Sequence, residues 1–258
     1  MQQEASLVAE EHIVSSYDEE LGQLRETVAR MGALAGRQLA AAVQAMARRD
    51  ADLARRTILA DQELDALEVE IDDRCVKLVA LRQPVADDLR IVLSGLKISA
   101  DIERIGDYAA NIAKRALALV DTPPVPQTRL IPRMSRLVEI MTGDVMTAWN
   151  TLDAGLARDV WERDEEVDSL YTSLFRELLT YMMEDPRSIT ACTHLLFVAK
   201  NVERCGDKVT NIAEMVLYLV EGSRPHGVRP KADLSSFTVP ETLPEAKDSD
   251  GPPEEKAR

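Results

Sequence analysis

Apolar residues along most of this chain recur at alternating three- and four-residue steps, the spacing that presents one face of an α-helix to a core. From Tyr17 to about Arg49 the series Leu21, Leu24, Val28, Met31, Leu34 or Ala35, Leu39, Ala42 and Met46 predicts a long first helix. Asp50 stands where an N-cap belongs, before a second helix from Ala51 to about Leu81 whose stripe includes Leu53, Ala60, Leu64, Leu67, Ile71 and Leu78. Pro84 pushes the residue before it out of helical geometry. A third helix, about Val85 to Val120, carries the narrow seam Ile98, Ile102, Ile105, Ala109, Ile112, Ala116 and Leu119. The run DTPPVPQT from Asp121 to Thr128 cannot continue a helix, because proline lacks the amide donor and clashes with the preceding turn.

After that linker the same programme restarts. A fourth helix spans about Leu130 to Leu152. The DAGLAR from Asp153 repeats the DADLAR from Asp50 and opens a fifth helix reaching about Met183. Pro186 stands where Pro84 stood, and a sixth helix runs from about Arg187 to Glu221, with Gly222 as C-cap and Pro225 as stop. The repetition is strongest in one block. DIERIGDYAANIAKRALALV, Asp101 to Val120, aligns without a gap on NVERCGDKVTNIAEMVLYLV, Asn201 to Val220, and ten of the twenty positions are identical. The chain is an internal duplication. Its expected division is a polar lead at 1–16, a three-helix repeat at 17–120, the linker at 121–128, a second three-helix repeat at 129–222, and a tail at 223–258 rich in proline and charge and expected to be disordered. The fold class is all-α: two tandem three-helix bundles, with antiparallel neighbours because the turns are short. Helices of about 30 residues are about 45 Å long, and bundles this thin bury enough surface only by packing side by side.

Composition narrows the partners. Hydrophobic residues are 45% and aromatics 4%, and the formal net charge is -14. Such acidity argues against nucleic acid or anionic lipid as a direct ligand, since both call for lysine and arginine surfaces. No run approaches the ~20 apolar residues of a membrane span, and the amino terminus, MQQEASLVAEEH, has no apolar leader core. Cys75, Cys192 and Cys205 are odd in number, lie in predicted helices and show no metal spacing, so they read as reduced core thiols of a cytosolic protein.

The duplicated polar residues carry the chemistry. Each last helix holds an ExxxD pair, Glu103 with Asp107 and Glu203 with Asp207, followed by Asn111 and Asn211. Each middle helix holds a DxxxD pair, Asp61 with Asp65 and Asp164 with Asp168. Like charges four apart on one helix face cost a few tenths of a kcal/mol, and the repeated Gly106 and Gly206 cost about 1 kcal/mol each against alanine. A bound cation is the simplest compensation. Measured from the apolar seam, Glu103 and Asp107 fall on the far, solvent-facing side of their helix and Asp61 and Asp65 on the flank of theirs. Adjacent antiparallel helices would bring four carboxylates to one surface patch per unit. Carboxylate oxygens suit hard cations such as Mg, Mn, Ca or Fe(III). A single acidic pair is commoner as a solvated helix face; two pairs per unit, repeated with their glycine and asparagine neighbours, are what favour a ligand set.

Other residues read more plainly. Glu68 and Asp72 have Tyr171 and Phe175 as counterparts and read as ordinary surface charges. Arg104 and Arg204 could clamp phosphate, but neutralising neighbouring acids is the simpler role. Asp87 and Asp88 read as capping and dipole residues. His12, His194 and His226 lack the Glu-x-x-His spacing of ferritin-like di-iron oxidases. No glycine-rich phosphate loop, nucleophile elbow or Ser/His/Asp array is visible, so no catalytic residue is assigned.

ERIGD and ERCGD, the DxxxD pairs, RQPVADDLR around Pro84 and YMMEDPR around Pro186 together resemble the PhoU family, over about Tyr17 to Gly222. The resemblance implies a fold of two pseudo-repeated three-helix bundles. It also implies a cytoplasmic, non-enzymatic negative regulator of phosphate uptake and of the phosphate-starvation response. Such a protein would sit peripherally at the inner membrane without inserting, as a homodimer, linking the ATPase subunit of the Pst phosphate transporter to a PhoR-type sensor kinase. By position, the family's metal motifs fall on Asp61, Asp65, Glu103, Asp107, Asp164, Asp168, Glu203 and Asp207, for a divalent or trivalent ion such as Fe, Mn, Mg or Zn. The tail after Gly222 is outside that pattern. The alternative from a different class is a metal-dependent hydrolase or metal store using the same clusters.

Overall fold

Six helices form where the apolar periodicity places them. The computed structural model describes the backbone of residues 2–223 and the side chains of residues 17–223 apart from Gln127. The helices are α1 (Gln2–Arg48), α2 (Ala51–Arg82), α3 (Ala86–Leu119), α4 (Leu130–Thr151), α5 (Ala154–Glu184) and α6 (Ile189–Glu221), with 3-10 turns at Pro126–Arg129 and Pro186–Ser188. Among the described residues there is no strand, and no helix is long and apolar enough to cross a membrane. α1 begins at Gln2, well before Tyr17, so the backbone of the segment read as a lead is helical. That segment carries Glu, Gln and Ala and has neither Gly nor Pro, so propensity continues the helix where the apolar pattern gives no signal. The expected disorder of the tail and His226 lie outside the described residues, save Ser223.

Helix ends follow their local chemistry. The Asp50 carboxylate accepts from the Leu53 amide at 2.9 Å and Asp153 from the Leu156 amide at 3.0 Å, so both middle helices start on the same cap. α3 lacks this device: its N-cap is Val85, with no side-chain hydrogen bond, and Asp87 pairs with Arg90 at 3.1 Å rather than capping. α6 ends on Gly222 in the left-handed region, φ 72, its amide bonded to the Tyr218 carbonyl at 3.0 Å. α2 ends the same way on Gln83, φ 49, without a glycine to ease it.

Within the first unit neighbours run antiparallel. Arg82 reaches Glu20 at 2.7 Å, Arg74 reaches Gln23 at 3.1 Å, and the Gln38 amide donates to the Ala60 carbonyl at 2.7 Å, so α1 and α2 count in opposite directions. The third-helix seam, Ile98 through Leu119, is buried throughout. The two units then pack through α3 against α6 and α1 against α4. Along α3 and α6 the contacts are Asp101 with Lys208 at 2.8 Å, Ile105 with Cys205 at 4.0 Å, Tyr108 under Arg204 at 5.9 Å, and Arg115 over Phe197 at 4.1 Å. One number rises as the other falls, and Ile105 and Cys205 are equivalent positions of the duplication. A pseudo-two-fold axis therefore passes between them, as in an isologous dimer, but inside one chain. On the α1–α4 side the fully buried Trp149 donates its indole N–H to the Arg25 carbonyl at 3.2 Å, and Met146 lies over Gly32.

Candidate functional site

The repeated glycine positions the carboxylates. A Cβ built on Gly106 would meet Leu64 Cδ1 at 2.4 Å and Asp61 Oδ1 at 2.9 Å. Only the missing side chain lets α2 approach α3 this closely, with the Asp61 carboxylate lying over the α3 backbone. Gly206 repeats the arrangement less tightly, with Asp164 Oδ1 at 3.3 Å and Val167 Cγ1 at 3.5 Å. Close helix approach therefore accounts for the glycine in both copies, without calling on an ion.

In the first unit the charges gather at the α2–α3 edge. Burial first, then the charges of Asp65 and Asp107, push the Asp61 carboxyl upward. Glu103 is pushed up by burial and by Asp107, Glu68 and Asp65, against the opposing pull of Arg104. Glu68 is pushed up by burial, Asp72, Asp65 and Asp107. All four predicted residues are thus neighbours, but Glu103 and Asp107 are half-buried beside α2 rather than on the far, solvent-facing side. The reason is that close approach at Gly106 turns the α3 flank into an interface. Glu68 belongs with them, where the sequence suggested an ordinary surface charge; it lies one helical turn beyond Asp65 on the same edge. Arg104 bonds Asp107 Oδ2 at 2.8 Å and approaches Glu103 at 3.5 Å from the exposed rim.

The second unit is built differently. Asp164, Asp168 and Glu203 are 1%, 2% and 4% exposed, so this cluster is interior. The Lys200 ammonium donates to Glu203 Oε1 at 2.9 Å and stands 4.9 Å from the centre of the Tyr171 ring. Glu203 Oε2 is buried with no hydrogen-bond partner. Burial, with smaller contributions from Asp207 and Asp168, raises the Glu203 carboxyl to about 7 despite its bond to Lys200. Asp207 is half-buried beside it. Arg204 leans over Tyr108 instead of returning to the acids as Arg104 does. Lys200 has no counterpart in the duplication, because Ala100 occupies the matching position, and so the repeat pattern alone could not single it out.

Chemically the donors are hard oxygens, right for Mg, Mn or Fe(III), and an unpaired buried carboxylate oxygen is a place a cation would stabilise. Among the described residues, however, no three His, Cys, Asp or Glu side chains converge as they stand to hold one ion. The clusters are fields of neighbouring carboxylates, not closed ligand shells. A surface cleft of about 570 Å³ on α5 is lined by Asp159, Glu162, Arg163, Glu165, Glu166 and Ser169, and none of the eight predicted ligands lines it.

The PhoU domain model matches residues 28–116 and again 131–216, one match per unit. The phosphate-specific transport system accessory protein PhoU homolog of Caulobacter vibrioides (strain NA1000 / CB15N) is 52% identical over 227 residues, 88% of this chain and 99% of that protein. The Escherichia coli (strain K12) protein named phosphate-specific transport system accessory protein PhoU is 38% identical over 217 residues, 84% of this chain and 90% of that one. Among solved structures, PhoU from Pseudomonas aeruginosa superposes with a TM-score of 0.78 at 38% identity, covering 80% of this chain and all of that one (100%). The phosphate transport system regulatory protein PhoU from Streptococcus pneumoniae superposes with a TM-score of 0.76 at 30% identity, covering 81% and 99%.

Proposed function

The chain belongs to the PhoU family, and from that premise we propose that it is an accessory regulator of phosphate uptake that works by docking to other proteins. The observation carrying this reading is the similarity, over 84% and 88% of the chain, to relatives named as accessory proteins of the phosphate-specific transport system. In finer terms, the protein restrains phosphate uptake and the phosphate-starvation response. It does so as a cytoplasmic homodimer, held at the membrane by the Pst transporter ATPase and by a PhoR-type sensor kinase. It has no catalytic residue of its own. Its carboxylate clusters take hard metal ions, the first through Asp61, Asp65, Glu103 and Asp107 and the second through Asp164, Asp168, Glu203 and Asp207. What supports the metal part is the oxygen donor set, repeated in both units, and the unpartnered Glu203 Oε2. Side-chain rotation would have to complete the ligand shell.

The test is co-purification of the full chain with the transporter ATPase and with the cytoplasmic part of the kinase, each with and without added Mn²⁺. Retention by both partners is expected. Retention by neither would overturn the adaptor reading. Phosphatase turnover with Mn²⁺ that Asp107→Ala and Asp207→Ala abolish would instead favour a hydrolase.

A further inference from the structure

α3 and α6 meet along one open face. α1 and α4 close the opposite side of that contact, so the side chains that bridge α3 and α6 and still reach solvent line a single groove. Five cations lie along it: Arg90, Lys97 and Arg115 on α3, and Arg204 and Lys208 on α6. In a chain whose acids outnumber its bases 45 to 31, this gathering runs against the overall sign. Asp101 answers Lys208 at 2.8 Å, and Asp87 answers Arg90 at 3.1 Å from the margin. Arg204 and Arg115 lie instead over the Tyr108 and Phe197 rings, and Lys97 is exposed. Near one end the groove deepens into a cavity of about 220 Å³, where Leu93, Ser94, Met215 and Tyr218 stand with Arg90 and Lys97.

The chain leaves the fold at that same end. A Cβ built on Gly222 would stand 3.7 Å from the Arg90 guanidinium, and residues 224–258 follow. They lie beyond the PhoU domain matches, which end at 216. Their charge is graded. Arg224, Arg229 and Lys231 come first, and residues 233–255 then hold seven acids against one base, Lys247. Leu234, Phe237 and Val239 stand at the head of this acidic part. An apolar group followed by carboxylates is the complement of a partly apolar cavity that opens on a row of cations. At ~3.3 Å per extended residue, the stretch from Gly222 to Phe237 has ample length to turn back into the cavity, one helical turn away at Tyr218. A tether this short holds its far end at an effective concentration in the millimolar range, so a weak contact suffices to fill the groove.

We propose that residues 233–255 lie along the α3–α6 groove, with Phe237 in the cavity and the carboxylates facing Lys97, Lys208 and Arg204. The occupant of this face is the chain's own acidic tail. An acidic segment of another protein reaches the groove only by displacing it. The tail docks whether or not the adaptor reading holds, because both surfaces belong to one chain.

The experiment is disulfide trapping in the full-length chain, whose native cysteines are buried. Leu93→Cys with Ser236→Cys sets one thiol at the cavity and one beside Phe237. Glu162→Cys with Ser236→Cys, on the exposed α5 cleft, is the reference. Each rate is normalised to the reaction of the Leu93→Cys or Glu162→Cys single variant with oxidised glutathione. Non-reducing gels and intact mass should show the Leu93→Cys pair closing within one chain about tenfold or more faster than the reference. Lys97→Glu with Arg204→Glu, both at exposed positions, should remove most of that advantage, as should NaCl at about 0.5 M. Phe237→Ala should reduce it as well, and an unaltered rate there would strike out the cavity assignment. Equal rates for the two pairs, or an advantage untouched by the charge reversals, would overturn the proposal. Covalent dimers in place of the intramolecular bond would give the groove to the tail of a second copy. Binding of the wild-type chain to phosphatidylglycerol vesicles that Lys97→Glu abolishes would give it to an anionic membrane. Either result would also overturn the assignment.

Discussion

At Gly106 a missing methyl group sets the distance between two helices and so the position of an acid. Alanine there would gain ~1 kcal/mol of helix propensity but must displace buried Leu64 and the Asp61 carboxylate, and overpacking of this kind costs roughly 1–3 kcal/mol. Gly106→Ala should therefore be less stable than wild type, by a net of up to about 2 kcal/mol, and melt lower. Gly206→Ala, whose nearest contact is 3.3 Å, should lie close to neutral; paired thermal melts check the order. Glu203 offers a second residue-scale outcome. Its carboxyl is raised from 4.5 to about 7, so between those values the folded chain holds a proton that the unfolded chain has released. Stability from this group falls as pH rises through that window, by about 3 kcal/mol in all, and is regained in acid. Asp61, Glu68 and Glu103 are shifted in the same direction. In metal-free protein Glu203→Gln should be more stable than wild type at pH 8, with the gap closing near pH 4. A gap that stayed constant in denaturant melts across that range would mean that the carboxyl titrates alike in the folded and the unfolded chain, and would refute the raised value.

At the scale of the element, helix ends tell why two equally placed stops differ in comfort. Gly222 takes its left-handed backbone without strain, whereas Gln83 takes φ 49 with a side chain that gains nothing from it. Gln83→Gly should stabilise the chain by about 0.5–1 kcal/mol, read as a higher urea midpoint with an unchanged m-value. Elements were also the level most legible in the sequence. Heptad-like seams, the two aspartate caps and the proline breaks are local signals, and they placed the helices to within a turn, apart from the start of α1, where polar residues of high helix propensity carry no periodicity. The clusters were legible only in part. Spacing found the eight acids because the duplication repeats them. It misplaced Glu103 and Asp107 on the solvent side, discounted Glu68 and passed over Lys200, because each depends on how closely α2 meets α3, or α5 meets α6, and distance between helices is not written in either one alone.

For the whole molecule the decisive fact is that the units share a core through α3–α6 and α1–α4, although each is a recognisable repeat. Unfolding should therefore be a single transition. Trp149, buried at the α1–α4 contact, provides the probe: in a Trp161→Phe background its fluorescence and the far-ultraviolet circular dichroism should trace one coincident curve, and a separated early fluorescence step would show the halves parting first. The pseudo-dyad between Ile105 and Cys205 carries a further implication. Each half meets its sibling through the same pair of helices that the sibling offers back, and the proline-rich tether adds only Val125, among its described residues, to the buried core. Halves produced as separate polypeptides should find each other by fragment complementation, eluting together on gel filtration. The modern chain then reads as a tethered descendant of a once two-chain assembly, with the covalent link freeing each half to drift, as Lys200 and Ala100 have done.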